Sequence, residues 1–179
     1  MQLPARIVLI GFMGSGKSTI GSLLARRLGR SFVDTDALVE AQAGKSVQRV
    51  FREDGEPAFR DAEAEVLRGL ASRTGVVVAT GGGAPAQERN AWFFGGAAIT
   101  FHLRVSLAAV RDRTRQDGTR PLLQRPEEDV KELLDGRLSI YESLGTSVDT
   151  DGRTPREVTE EILRLLEDPT RSPRPAGDG

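Results

Sequence analysis

Eight residues constrain this chain more than any others: Gly11-Phe-Met-Gly-Ser-Gly-Lys17-Ser18, a match to G-x-x-x-x-G-K-[ST]. In such a loop glycines let backbone N–H groups wrap phosphate oxygens, the helix N-terminus behind it adds a favourable dipole, and the lysine reaches the β and γ phosphates. That arrangement requires a buried strand before the loop and an amphipathic helix after it. Ile7-Val-Leu-Ile10 is an unalternating β-rich run suited to a strand covered on both faces. After the loop, Ile20, Leu23, Leu24 and Leu28 recur at helical spacing until Gly29 offers a C-cap. Lys17 is one of three lysines beside 22 arginines, so general surface usage does not account for it. Gly14, Ser15, Gly16, Lys17, Ser18 and Thr19 are the candidate ATP-binding residues, with the Ser18 hydroxyl a natural ligand for Mg²⁺.

The pattern after the loop repeats strand and helix. Strands are predicted over 31–34, 76–79, 98–103 and 147–149, each separated from the next by a helical pattern. Such alternation predicts an α/β fold, a mostly parallel sheet with helices on both faces and ligands at the carboxyl ends of the strands. Thr154-Pro155-Arg156-Glu157 reads as a capping box with proline at the first helical position, followed by Val158, Ile162, Leu165 and Leu166 on one face. The fold is therefore predicted to end near Glu167, giving one domain over 1–168. The segment 169–179 carries three of the nine prolines and no large apolar residue, and is expected to be a disordered tail.

Composition closes off other classes. The 25 Lys+Arg against 26 Asp+Glu leave a net charge of -1, and aromatics are only 5%, which argues against a nucleic-acid surface. Absence of cysteine excludes a disulfide framework, a thiolate zinc site and a cysteine nucleophile, and fits a reducing compartment, with the cytoplasm as the expected location. No apolar stretch approaches the ~18 residues of a spanning helix, and the first 17 residues hold too short an apolar run for a signal peptide.

Several polar residues stand where a surface does not need them. Phe32-Val-Asp34-Thr-Asp36 closes the second predicted strand. Two carboxylates two residues apart in extended backbone point to the same side, towards the phosphate loop. One can hold hydrated Mg²⁺ while the other orients an acceptor hydroxyl; equally, one can cap the helix that follows. Thr80-Gly81-Gly82-Gly83 follows the third predicted strand, where close backbone approach to a small ligand and a plain tight turn are both open. In the helix after Pro57, the stripe Phe59, Ala62, Glu63, Val66, Leu67 and Leu70 buries an acid, with Arg60 three residues before it. Arg137 lies beside Leu134, Leu138 and Tyr141 at the edge of another apolar face. Each arginine can be a structural ion pair; together they suggest a clamp for a carboxylate. The polar stretch from Arg111 to Pro121 is a candidate mobile lid from which Arg120 can reach the γ-phosphate. His102, Trp92 and Tyr141 are read first as structural residues, His102 as packed or hydrogen-bonded within a strand.

In this series the chain resembles the shikimate kinase family. The resemblance rests on Gly11 to Ser18, Phe32 to Asp36, Phe59-Arg-x-x-Glu63, Gly81 to Gly83, Arg120-Pro-Leu-Leu123 and Arg137-x-x-x-Tyr141, over about 165 of 179 residues. It implies a three-layer P-loop NTPase fold of the nucleoside-monophosphate-kinase type, a five-stranded parallel sheet ordered 2-3-1-4-5, and a mobile lid. It further implies transfer of the γ-phosphoryl group of Mg·ATP to the 3-hydroxyl of shikimate by a cytoplasmic monomer using one Mg²⁺. By carry-over, Lys17, Asp36 and Arg120 are catalytic, Asp36 binding the acceptor hydroxyl. Ser18 and Asp34 serve the metal, and Arg60 and Arg137 hold the shikimate carboxylate beside Gly81, Gly82 and Gly83. Arg113, Arg120 and Arg153 join the ATP site. The alternatives are a gluconate-type kinase of the same fold, which would lack the glycine triplet and arginine pair in this arrangement, and a non-catalytic nucleotide-binding module, against which the intact Lys17, Ser18, Asp34, Asp36 and Arg120 argue.

Overall fold

A computed structural model of the chain describes residues 4–114 and 126–168. Its centre is β1 (Arg6–Ile10), in which all five residues are buried, as an unalternating apolar run requires. Around it lie β2 (Ser31–Asp34), β3 (Val76–Ala79), β4 (Ala98–Arg104) and β5 (Thr146–Asp149), paired in parallel in the order β2-β3-β1-β4-β5. Seven α-helices accompany them among the described residues: α1 (Lys17–Leu28), α2 (Thr35–Ala43), α3 (Val47–Glu53), α4 (Gly55–Leu70), α5 (Leu107–Thr114), α6 (Glu127–Leu144) and α7 (Pro155–Glu167), with two short 3-10 helices, Ala84–Ala86 and Glu88–Phe93, after β3.

Alternate residues of β1 feed two cores, because successive side chains leave a strand on opposite faces. Val8 and Ile10 pack with Val39, Phe59, Leu67 and Tyr141 from α2, α4 and α6. Ile7 and Leu9 pack with Ile20 and Leu24 from α1 and with Val158, Ile162 and Leu166 from α7. A third cluster, Phe12, Val105, Val110 and Val130, joins the loop after β1 to α5 and α6. The local punctuation agrees with the sequence: Gly29 caps α1 at φ 62°, and Thr154 and Glu157 form the capping box of α7 with Pro155 at its start.

Two expectations are corrected. Asp36 is not in extended backbone, since Asp34 ends β2 and its side chain accepts from the Asp36 N–H, so α2 begins at Thr35. The N-cap geometry wins over strand continuation because it satisfies a helix-start donor that the strand would leave for an edge. Similarly, the stretch read as a candidate lid from Arg111 begins as helix, α5 running through Thr114 with Val110 fully buried. Arg120 to Leu123, the rest of the expected lid, and the tail 169–179 lie outside the described residues.

Candidate active site

The β1–α1 turn is built on positive φ angles at Gly11 (143°), Gly14 (74°) and Gly16 (90°), which side-chain-bearing residues rarely adopt. At Gly11 a Cβ would also sit 2.6 Å from the Leu103 carbonyl oxygen. Lys17 opens α1, and its Nζ donates to the carbonyls of Gly11 at 2.8 Å and Phe12 at 2.9 Å, which folds the ammonium back over the loop. The first turn of α1 carries no acid, leaving the positive end of its dipole unneutralised by side chains. Ser15 is buried, while Ser18 and Thr19 are exposed beside it. Arg113 of α5 donates to the Gly14 carbonyl at 3.2 Å and to Thr150 Oγ1 at 3.0 Å, tying the loop to the β5–α7 turn.

Because Asp34 ends a strand and Asp36 starts a helix, the two carboxylates diverge rather than share a side. Asp34 turns to the phosphate loop, where its Oδ2 accepts from Ser18 Oγ at 2.6 Å. Asp36 turns to the glycine triplet, and a Cβ at Gly81 would lie 2.7 Å from its Oδ1. Thr35 between them is buried, and its Oγ1 accepts from the Gly81 N–H at 3.0 Å. No group of three or more His, Asp or Glu among the described residues is placed to hold a metal ion. Mg²⁺ does not need one, since it keeps several waters and takes phosphate oxygens beside one or two protein ligands. The Ser18 hydroxyl and Asp34 carboxylate, both oxygen donors at the loop's edge, fit that demand.

The second half of the cleft is assembled from α4, the β3 loop and α6. The Arg60 guanidinium lies flat against Gly83: a Cβ there would be 2.4 Å from Nη1 and 2.5 Å from Nη2. Glu63 Oε2 accepts from Nη1 at 2.9 Å, and Glu56 Oε1 accepts from Nη2 at 3.0 Å and Nε at 3.2 Å. Of the five N–H groups on an arginine, these bonds leave one on each terminal nitrogen. Phe51 and Phe59 hold the guanidinium by ring contacts, 5.9 and 5.2 Å from their centroids. A depression of about 430 Å³ lined by Glu56, Pro57, Arg60, Asp61, Gln87 and Arg89 adjoins it. From α6, Arg137 stands over the Phe12 ring, and its Nη1 lies 3.6 Å from where a Cβ of Gly82 would be.

Glu63 is fully buried, and its Oε1 lies 2.6 Å from the Cβ position of Gly81 that Asp36 also approaches. Burial pushes its carboxyl up to about 7, the Asp36 charge adding to the effect and the Arg60 and Arg137 cations opposing it. His102 is packed and bonded as the sequence reading held, with Nδ1 2.9 Å from Ser147 Oγ, and burial together with the Arg104 and Lys17 charges pushes its pKa down to about 4.

The structure thus brings together Gly14, Ser15, Gly16, Lys17, Ser18, Thr19, Asp34 and Arg113 at one end, and Asp36, Arg60, Gly81, Gly82, Gly83 and Arg137 at the other. Arg153 serves the β5–α7 turn, donating to the Asp149 and Glu157 carbonyls at 3.0 and 3.1 Å. Arg120 lies outside the described residues. Sequence reasoning missed Thr35 and Glu56 and read Tyr141 as packing alone. Thr35 sits between the two singled-out aspartates, and Glu56 lies one helical turn before Arg60, so spacing alone signalled both.

Known proteins share this sequence pattern and fold. The shikimate kinase family model matches residues 13–167. The chain is 41% identical over 163 residues to a shikimate kinase of Thermodesulfovibrio yellowstonii, covering 90% of this chain and 94% of the relative. A solved shikimate kinase from Acinetobacter baumannii in complex with shikimate superposes with a TM-score of 0.88 at 37% identity, covering 93% of this chain and 94% of that one. A gluconokinase from Sinorhizobium meliloti reaches a TM-score of 0.61 at 22% identity, covering 93% of this chain and 94% of that one, and shares the fold.

Proposed function

This chain belongs to the shikimate kinase family, and from that premise we propose how its cleft works. The protein is an ATP-dependent kinase that transfers the γ-phosphoryl group of ATP to the 3-hydroxyl of shikimate. Lys17 and the glycine-rich turn bind the β and γ phosphates, the ammonium leaving the Gly11 and Phe12 carbonyls for phosphate oxygens. Ser18 and Asp34 would hold Mg²⁺, which would supply positive charge to offset that of the phosphates. Asp36 orients the acceptor hydroxyl. As the bond from the 3-oxygen to the γ-phosphorus forms, the bond to the β–γ bridging oxygen breaks, ADP leaves with the electron pair, and the hydroxyl proton passes to Asp36. Arg60 and Arg137 receive the carboxylate, and Glu63 and Glu56 fix the direction of the Arg60 fork.

The convergence of two guanidinium groups from separate helices on one glycine triplet carries this reading. A carboxylate set there fixes the ring, and the divergence of Asp34 from Asp36 separates the metal-side carboxylate from the hydroxyl-side one. A cysteine-free chain that consumes ATP supports a cytoplasmic location. No described helix is long and apolar enough to cross a membrane. ADP release measured with Mg·ATP and a panel of shikimate, 3-dehydroshikimate, gluconate and nucleoside monophosphates tests the reading. Turnover is expected with shikimate well above the others; faster turnover with gluconate, or none with any acceptor, overturns it.

A further inference from the structure

Tyr141 is the sole tyrosine of the chain and is fully buried. It lies one helical turn after Arg137 on α6, so the two side chains leave the same face. Its hydroxyl donates to the Gly82 carbonyl at 2.6 Å, across 59 residues of sequence. A Cβ at Gly82 would be 3.6 Å from both Tyr141 Oη and Arg137 Nη1, so hydroxyl and guanidinium close on the same glycine. On its other side the ring packs against His102, centroids 5.0 Å apart, and the imidazole is tied to Ser147 of β5. With its pKa near 4, His102 stays neutral near pH 7 and offers a constant wall. Burial pushes the phenol pKa up, so the hydroxyl remains a donor.

We propose that Tyr141 is a positioning residue of the acid pocket, its hydroxyl setting the Gly82–Gly83 peptide and the Arg137 guanidinium in the orientation that receives the shikimate carboxylate. The Gly82 carbonyl and Gly83 N–H belong to one planar unit, so a bond at the carbonyl fixes the whole peptide. Arg60 lies against Gly83 and Arg137 beside Gly82, so both cations of the clamp border that peptide. Packing alone would need the ring but not the oxygen. The proposal rests on the reading of Arg60 and Arg137 as a carboxylate clamp.

Tyr141→Phe keeps the ring and removes the donor. KM for shikimate is expected to rise about tenfold, with KM for ATP and kcat within about twofold. The preference of the enzyme for shikimate over shikimate methyl ester shrinks by a similar factor. An unchanged shikimate KM, equal weakening of ATP, or an unaltered preference overturns the role of Tyr141. If the wild-type enzyme treats acid and ester alike, the clamp itself falls and the proposal with it. Should Tyr141→Phe fail to fold, 3-fluorotyrosine in place of the single tyrosine keeps the hydroxyl. Near-normal shikimate KM and a ¹⁹F resonance that moves on adding shikimate but not ADP support the role; a resonance indifferent to shikimate overturns it.

Discussion

The phosphate half of the cleft and the acid half are built by opposite means. The first is centred on a contiguous turn of backbone N–H groups, three positive-φ glycines and one lysine, so most of its chemistry is written within eight residues, with Asp34 and Arg113 added from β2 and α5. The second gathers Asp36, Arg60, Glu63, the glycine triplet and Arg137 from three helices and a loop, and depends on a buried ion pair for its geometry. A turn recognises what every nucleoside triphosphate shares. On the reading proposed above, an assembly of distant side chains recognises one small acid, and it does so at the expense of a buried carboxyl.

If that contrast holds, damage to the phosphate half removes turnover and damage to the acid half removes one substrate. Lys17→Met is expected to lower kcat by about a thousandfold, because the ammonium meets charge that grows in the transition state, while leaving the thermal melting of the apoprotein near normal. Steady-state ADP release measures it. Arg137→Ala is expected to raise KM for shikimate by roughly 30- to 100-fold with KM for ATP little changed, as removal of a charge-assisted bond requires. Arg60→Ala weakens shikimate similarly but also strands Glu63, so it destabilises the fold by about 3 kcal/mol or more in urea unfolding. Adding Glu63→Gln to Arg60→Ala recovers stability without recovering shikimate binding, and joint recovery of both would refute the clamp.

Gly83→Ala sharpens the comparison without touching a charge. A Cβ within 2.7 Å of three Arg60 guanidinium atoms forces that group off the glycine. We expect shikimate KM to rise about tenfold and ATP to be indifferent, since a group displaced by even 1 Å loses its alignment. Glu63 also gives the acid half a pH signature. Its carboxyl, raised to about 7 in the fold by burial, binds its proton more tightly folded than unfolded. Its contribution to stability is therefore greatest below the unfolded value near 4.5 and is lost as pH rises through about 7. Urea midpoints for Glu63→Gln should accordingly gain on the wild type between pH 5 and 8. Identical slopes would mean that Glu63 is ionised throughout. The smallest effect is expected from deleting residues 169–179, because α7 makes its last core contact at Leu166. Kinetics of both substrates should not change.

How much of this could be read from the sequence follows the same division. The four-residue strands β2 and β3 emerged at their observed limits because short β-prone runs bounded by turn residues leave few alternatives. The capping box of α7 is equally local. Asp34 and Asp36 left two readings open because alternation in a strand and an N-cap two residues earlier use the same letters, Asp-Thr-Asp; the turn of the chain decides for the cap at Asp34. Arg60 and Arg137 were visible as cations on apolar faces, yet nothing in spacing shows that both faces meet over Gly82 and Gly83. Tyr141 looked like core because it is core, and its bond to Gly82 is a fact of topology, made by packing α6 against the end of β3.

Calorimetric titration of Arg60→Ala/Arg137→Ala/Glu63→Gln, with shikimate and with ATP in separate cells, tests the central claim most directly. The account predicts no measurable heat with shikimate and an ATP affinity within about twofold of the wild type. Shikimate binding that survives the loss of both guanidinium groups, with ATP binding intact, would contradict it.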